Sequence, residues 1–210
     1  MQQEGWQNEE GQREGLRERK RRDTLQRIAQ TGLDLFIAKG YEETTLDDIA
    51  AAADISRRTF FHYFKSKDEI LLAWQSGLAD SIRVAVLEEA PDRSPLDALC
   101  EALLKLASHF DTDKAIVIAR LLESSDQLRA ANQAKFMRME QAAFEALCQL
   151  RPQRGRRERL RLVAMVGLGA FRVAIEEWTA EGGKVRLTKR IEKTFATLRA
   201  ELGRGQGDAG

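Results

Sequence analysis

The chain has 210 residues, of which 43% are hydrophobic and 32% charged, a balance typical of a globular protein and not of a disordered one. Its formal net charge of +1 does not indicate a nucleic-acid partner, so evidence for one has to come from local clusters. The sequence shows no secretory signal and no run of about 18 apolar residues, so we expect a cytoplasmic protein with reduced thiols and no membrane partner.

The N-terminal region is polar and then strongly basic. Residues 1–16 are rich in Gln, Glu and Gly and lack a hydrophobic pattern, so we expect a flexible arm. Residues 17–22 place five cations in six positions. Two interpretations are open for this run: a solvated helix start, or a segment that contacts DNA phosphates or the minor groove. Apolar residues at helical spacing, closed by Gly40, predict a first helix over 17–39.

The stretch 45–67 has the features of two short helices joined by a tight turn. Thr45 and Asp48 are spaced as a capping box for the first helix, and Ser56 is placed to cap the second. Asp54 lies at the turn and tolerates a left-handed conformation better than most residues. This arrangement is typical of a helix-turn-helix, whose second helix enters the DNA major groove.

The second helix and its flanks carry side chains suited to DNA. Arginine can pair bidentately with guanine, and threonine can meet a base edge or a thymine methyl group. Hydroxyl groups, lysines and helix N-terminal amides hold phosphates. The residues available for these roles are Arg57, Arg58, Thr59, Tyr63, Lys67, Thr44 and Thr45. The alternative interpretation is a solvated basic turn on a helical bundle.

Residues 25–72 resemble the DNA-binding domain of the TetR family of bacterial transcriptional repressors. The resemblance rests on AKGY at 38–41, TTLDDIA at 44–50 and SRRTFFHYFKSK at 56–67. It implies a cytoplasmic homodimer with a helical, ligand-binding C-terminal domain that leaves its operator when an inducer binds.

The resemblance also implies roles for individual residues. The residues implied to face bases are Arg57, Arg58, Thr59 and His62. Those implied to meet phosphates are Thr45, Tyr63 and Lys67, and we add the hydroxyl of Thr44 to this set. Two positions depart from the family pattern. Phe61 replaces a frequent tyrosine and can pack or touch a thymine methyl group instead, and Asp54 replaces the usual turn glycine.

The remaining sequence predicts further helices and no strands. We expect helices over 67–89, 95–110, 115–122, 126–150, 156–181 and 186–202. The predicted fold is therefore all-α. A three-helix helix-turn-helix domain over 17–66 precedes a helical ligand-binding and dimerisation domain over 67–203, and a flexible tail covers 204–210.

The helix predicted over 156–181 is apolar on most of its surface, so most of its sides must be buried. Together with the last helix it is our candidate for a dimer interface, a four-helix arrangement across a two-fold axis. The residues predicted at this interface are Leu168, Phe171, Ile175, Ile191, Phe195 and Leu198. One large monomeric core is the alternative.

An inducer pocket is implied by the family resemblance. The residues that could line it are Trp74, Phe110, Met137, Phe144, Met165 and Trp178, each of which could equally be ordinary core. No polar group in this domain stands out in the sequence as a ligand anchor.

The sequence gives no support for a catalytic, cofactor or metal site. Gly167 and Gly169 lack the third glycine and the preceding strand of a dinucleotide loop, so helix packing explains them better. His62 and His109 have no partners at ligand spacing. We therefore expect no enzyme. We expect a regulator that binds a double-stranded DNA operator, a repressor released by a small apolar or amphipathic inducer. The alternative is a DNA-binding regulator without an inducer, either constitutive or controlled by a protein.

Overall fold

The computed structural model describes residues 3–74, 77–152 and 155–204, which form ten α-helices and contain no strand. This confirms the predicted all-α fold. The helices are α1 Gln3–Lys39, α2 Leu46–Ala52, α3 Arg57–Tyr63, α4 Lys67–Trp74, α5 Leu78–Leu87, α6 Pro95–Ser108, α7 Thr112–Glu123, α8 Asp126–Leu150, α9 Arg157–Ala180 and α10 Leu187–Arg204.

The chain divides into two compact units, Met1–Gln75 and Ser76–Gly210. The predicted boundary after residue 66 differs because α4 packs on α1, where a Cβ atom at Gly32 would lie 2.7 Å from Ile70 Cγ2. Within the helix predicted over 67–89, the structure describes α4, which ends at Trp74, and α5, which begins after Gly77, while residues 75 and 76 lie outside the described residues.

Both ends of the chain are more helical than the sequence predicted. The flexible arm predicted over 1–16 is helical from Gln3 onward, and residues 1 and 2 lie outside the described part. Gln, Glu and Arg are good helix formers and no proline interrupts this stretch, so α1 extends beyond its packed portion. At the other end α10 continues to Arg204, and residues 205–210 of the predicted tail lie outside the described residues.

The first unit has a small core to which each of its helices contributes. Leu33 and Phe36 of α1, Ile49 of α2, Phe60 of α3 and Ile70 of α4 are each at most 2% exposed. These side chains fix the position of α3, whose seven residues could not hold a stable helix alone.

The second unit is built from α5 to α10 around an extensive apolar core. Phe171, Trp178 and Phe195 are among its largest fully buried side chains. At Gly167, a Cβ atom would lie only 2.4 Å from Leu99 Cδ2, so the glycine permits close contact between α9 and α6. This confirms the helix-packing interpretation for Gly167 but not for Gly169, where an added Cβ atom would have no described neighbour within 4 Å.

One stretch, Lys67–Leu87, is long and apolar enough to cross a membrane by length and composition, with a mean hydropathy of 1.3, although its residues 75 and 76 lie outside the described part of the chain. Core helices of globular proteins meet the same two criteria, so this stretch is weak evidence for a membrane segment.

Candidate nucleic-acid interface

Hydrogen bonds fix both ends of α2. Thr45 Oγ1 accepts a bond from the Asp48 amide at 3.1 Å, and the Asp48 carboxylate accepts one from the Thr45 amide at 2.9 Å, which confirms the capping box. These bonds, together with the Lys39 ammonium at 3.1 Å, lower the pKa of Asp48 to about 2. At the other end Asp54 has φ of 54°, the left-handed conformation expected of it, and the amides of Asp54 and Ile55 bond back to α2 carbonyls in a Schellman arrangement.

The recognition helix α3 begins at a capped N-terminus and exposes most of its residues. The Ser56 hydroxyl accepts a bond from the Thr59 amide at 3.0 Å, as predicted for the N-cap. Phe60 has no exposed surface and holds the helix against the core of the first unit. The four residues predicted to face bases are all exposed: Arg57, Arg58, Thr59 and His62. The structure therefore gathers the predicted set on one accessible helix.

The two arginines of α3 have different surroundings. Arg57 Nε lies 3.2 Å from Asp47 Oδ1 of α2, and Arg57 Cζ lies 5.5 Å from the centroid of the Phe61 ring. Arg58 has no ion pair with any described residue. Because Arg57 must leave a carboxylate before it can pair with guanine, Arg58 is the freer of the two to read a base. The Phe61 ring packs against the Arg57 guanidinium. Packing was one of the two roles that the sequence left open for Phe61, which lacks the tyrosine hydroxyl.

The phosphate contact predicted for Thr44 is wrong. Its side chain is 1% exposed, and its hydroxyl donates to the Gly40 carbonyl at 2.7 Å. Thr44 therefore satisfies a carbonyl beyond the end of α1 and does not face solvent. The neighbouring Thr45 is exposed, and because its Oγ1 serves the cap as an acceptor, its own hydrogen stays available for a phosphate oxygen. Tyr63, partly exposed at the end of α3, also stays in the predicted set.

Lys67 has a structural role beside its predicted phosphate contact. Its ammonium donates to the carbonyls of Tyr41 at 2.7 Å and Glu42 at 3.3 Å, and it lies 4.5 Å from the centroid of the Tyr41 ring. Two of the three ammonium hydrogens are thus used, and the Glu42 carboxylate lies 3.9 Å from the ammonium, so a phosphate has to compete with this carboxylate for the third hydrogen. The Tyr41 hydroxyl donates to the Asp68 carboxylate, and burial together with this bond raises the pKa of Tyr41.

The basic residues 19–22 lie on α1 beyond the helix-turn-helix core. Lys39 of α1 pairs with Asp48 at the start of α2, whereas Arg27 donates to the Ala53 carbonyl just past its end, at 3.2 Å. α1 therefore runs antiparallel to α2, and its residues before Arg27 extend past the turn that leads into α3. Residues 19–22 are exposed there, so four cations lie on the side where the recognition helix begins.

Of the six residues predicted to line a ligand pocket, the five whose side chains are described do not share one cavity. Met137 is 71% exposed and Met165 is 47% exposed, so the prediction is wrong for both, because these methionines lie on solvent-facing sides of their helices. Phe144 is buried in the core of the second unit. Phe110 and Trp178 do share a cavity, of about 290 Å³. The remaining member, Trp74, ends α4, and its side chain lies outside the described residues.

Four of the residues predicted for the dimer interface belong to the core of the same chain. Leu168, Phe171, Ile191 and Phe195 are each at most 3% exposed, so the prediction is wrong for them. The stripe of α9 that the sequence pattern identified packs on α6 and α10 of its own unit. The other two predicted residues, Ile175 and Leu198, are partly exposed.

A second apolar stripe of α9 is exposed instead. Its members are Leu162, Met165, Val166 and Val173, with 56%, 47%, 39% and 41% of their surface accessible. Val166 and Val173 also line a groove of about 680 Å³ whose other wall includes Leu198 of α10. The sequence did contain the signal, because a helix that is apolar on most sides needs a second burial partner.

A capped helix-turn-helix with exposed polar side chains on its second helix, attached to a separate helical unit, defines a DNA-binding regulator of transcription. The family model of bacterial regulatory proteins, tetR family, matches residues 28–74, and the model of the MftR C-terminal domain matches residues 93–203. The chain belongs to the TetR family of bacterial transcriptional regulators, and it is not an enzyme.

Individual relatives agree with this assignment. The regulator TcmR of Streptomyces glaucescens is 39% identical over 88 residues, which span 42% of this chain and 39% of TcmR. MftR of Mycobacterium tuberculosis, named for mycofactocin biosynthesis, is 28% identical over 89% of this chain and 94% of its own length.

Solved structures share the fold. The TetR-family repressor FadR of Thermus thermophilus, crystallised with lauroyl-CoA, is 25% identical with a TM-score of 0.57, over 83% of this chain and 92% of that one. A TetR-family protein of Syntrophomonas wolfei has a TM-score of 0.64 over the same shares at 19% identity, which shows the fold alone.

Proposed function

We propose that this chain is a homodimeric repressor that a small apolar or amphipathic molecule releases from its operator. The observation that carries the proposal is the combination of one exposed recognition helix in the first unit with one exposed apolar stripe on α9 in the second. A single recognition helix contacts only a few base pairs, and a two-fold dimer doubles the site.

The dimer forms through the exposed stripe of α9 and the adjoining groove on α10. Soluble monomers rarely leave a large contiguous apolar patch in water, and such a patch marks an interaction site. Two helices from each of two chains make a four-helix arrangement in which Val166 and Val173 meet their symmetry copies.

On DNA, Arg58, Thr59 and His62 read base edges, and Arg57 joins them once it leaves Asp47. The phosphate contacts come from Thr45, Tyr63 and the remaining hydrogen of Lys67. Bacterial operator DNA lies in the cytoplasm, so we place the protein there.

Two relatives support the sign and the ligand dependence of regulation. IcaR of Staphylococcus epidermidis is named a negative regulator, and T. thermophilus FadR is a repressor that was crystallised with an acyl-CoA. The recognition helices of a dimer must lie about 34–36 Å apart to reach successive major grooves. A ligand that prefers a wider spacing lowers operator affinity by its differential binding energy, typically about 1–3 kcal/mol.

Titration of the operator and of random duplex tests the base-reading role of Arg58. Arg58→Ala should weaken operator binding by about 1–3 kcal/mol and relax base preference, while random-duplex affinity changes little. The control is Lys65→Ala, which removes the same charge from an exposed position next to α3 and outside the predicted contact set. Equal losses on both DNAs for Arg58→Ala would remove its base-reading role.

A reporter promoter that overlaps the operator tests the sign of regulation. A repressor lowers transcription from this promoter, and an inducer restores it while releasing the operator in gel shifts. If the operator stays bound with every apolar and amphipathic compound tried, the regulator without an inducer is the better description.

A further inference from the structure

The buried face of α8 contains two polar side chains, Asn132 and Lys135. The stripe begins with Leu128 and continues with Met139, each 1% exposed, and then with Ala143. Residues spaced by three, four and seven positions share one face of a helix. Asn132 and Lys135 therefore lie between Leu128 and Met139 on the apolar face, and both are only partly exposed.

Neither polar group has the partner that its burial requires. Asn132 Oδ1 is buried and has no hydrogen bond within the described residues. The Lys135 ammonium lies 4.3 Å from the centroid of the Phe136 ring and pairs with no described carboxylate. Burial and the like charge of Arg138 lower the pKa of Lys135 to about 8. A buried amide oxygen without a hydrogen bond opposes folding, and so does a partly buried ammonium without a counter-charge.

Another largely buried charge of the same unit is compensated. The side chain of Glu89 is 5% exposed, and its carboxylate lies 2.6 Å from Lys105 Nζ and 3.7 Å from Arg93 Nη1. The Glu89 carboxylate therefore has two counter-charges, whereas the Lys135 ammonium has none among the described residues. A buried polar group without a partner in a native protein calls for an explanation, and a bound molecule provides one.

We propose that Asn132 and Lys135 are the polar anchor of the ligand site. Their ligand is an amphipathic small molecule that has an anionic carboxylate or phosphate group and, next to it, a hydrogen-bond donor of its own. This inference rests on the ligand-released function proposed above. The Lys135 ammonium donates to the anionic oxygen, and Asn132 Oδ1 accepts from the ligand hydroxyl or amide hydrogen. Phe136 on the same helix is only partly buried and supplies apolar surface for the ligand's stem.

Calorimetric titration of the full-length protein tests the anchor with four matched compounds: dodecanoate, 3-hydroxydodecanoate, dodecyl phosphate and the uncharged 1-dodecanol. Lys135→Met keeps the length of the side chain and removes its charge, and it should weaken binding of dodecanoate and dodecyl phosphate by about 10- to 100-fold. Affinity for 1-dodecanol should not change. The ratio between dodecanoate and dodecyl phosphate in the wild type separates a carboxylate from a phosphate ligand.

Three further variants separate binding from folding. Arg138→Met removes an exposed cation one turn along the same helix and should change each affinity by less than about twofold, because exposed charges are screened. Lys135→Arg keeps the charge and should retain anion binding. Asn132→Leu should abolish the preference for 3-hydroxydodecanoate over dodecanoate. Lys135→Met relieves an unpaired charge, so its melting temperature should not fall, and weaker binding cannot then be attributed to unfolding.

The anchor is refuted if the wild type binds no anionic compound more tightly than 1-dodecanol, or if Lys135→Met binds the anions as tightly as the wild type. Gel shifts with the operator separate this failure from that of the proposed function. Release of DNA by dodecanoate to the same extent in the wild type and in Lys135→Met would keep the function and remove the anchor. Lys135-dependent binding of dodecanoate that leaves the operator bound would keep the anchor and remove the ligand-released function.

Discussion

Val173→Glu on α9 is expected to convert the proposed dimer into monomers. Val166 and Val173 keep 39% and 41% of their surface exposed in the single chain. Full burial of a valine contributes about 1.5 kcal/mol, so the exposed part of Val173 contributes about 0.6 kcal/mol, or about 1.2 kcal/mol for the two copies related by symmetry. Glutamate loses this contribution and adds two carboxylates whose desolvation costs several kcal/mol. Because about 1.4 kcal/mol is tenfold, the dissociation constant of the dimer should rise more than about 100-fold.

Sedimentation velocity over a range of protein concentrations measures this change. The matched control is Val84→Glu, since Val84 is 50% exposed on α5 and carries the same substitution outside the proposed interface. This control should remain a dimer. Phe171→Ala provides the contrast within α9: Phe171 is 2% exposed, so its loss should cost about 3–5 kcal/mol of folding stability instead of dissociating a folded dimer. A Val173→Glu protein with the wild-type dissociation constant would show that the interface lies elsewhere.

Three further measurements test other parts of the structure. Thr44→Val removes the hydroxyl that donates to the Gly40 carbonyl at 2.7 Å, so urea unfolding should show a loss of about 1–3 kcal/mol. The salt dependence of DNA binding should stay unchanged, and a reduced slope with full stability would restore the phosphate role of Thr44. Lys135 has a pKa of about 8 in the folded protein and an ordinary pKa of 10.5 in the unfolded chain. Between pH 8 and pH 10.5 the unfolded chain therefore binds more protons than the folded protein, so the stability of the wild type should rise with pH in this range. Below pH 8 the charged Lys135 lowers the free energy of unfolding by about 3 kcal/mol. Lys135→Met should show neither this loss of stability nor the increase of stability with pH. Replacing the four cations of residues 19–22 by Gln should lower the slope of log affinity against log salt by about 0.9 for each phosphate that these cations neutralise. The matched control neutralises four exposed cations of the second unit, Arg156, Arg159, Lys184 and Lys189, and an equal change of slope in both proteins would leave residues 19–22 as a solvated helix start.

The local features of the helix-turn-helix could be predicted because their causes lie within a few residues. A capping box joins positions three apart, and the structure contains it at Thr45 and Asp48. The left-handed turn at Asp54 and the cap at Ser56 depend on equally short-range bonds. The four residues predicted to face bases are exposed on α3, whereas Phe60 of the same helix is buried.

Long-range packing decided what the sequence left open. Thr44 and Thr45 are chemically identical neighbours, and only the return of the chain over the end of α1 buries the first and exposes the second. Asn132 and Lys135 gave no signal as an anchor, because their significance lies in partners that the folded unit does not supply within the described residues.

The sequence by itself determined that the chain is helical, that it contains a helix-turn-helix and that α9 is apolar on most of its sides. Helical periodicity reports which faces of α9 are apolar, since it depends only on spacing along the chain. It does not report which apolar face meets the core of the same chain. The tertiary structure decided this where Gly167 brings α9 against Leu99, burying Phe171 and leaving Val173 exposed. Such an assignment depends on contacts between residues far apart in sequence, and no local pattern encodes them.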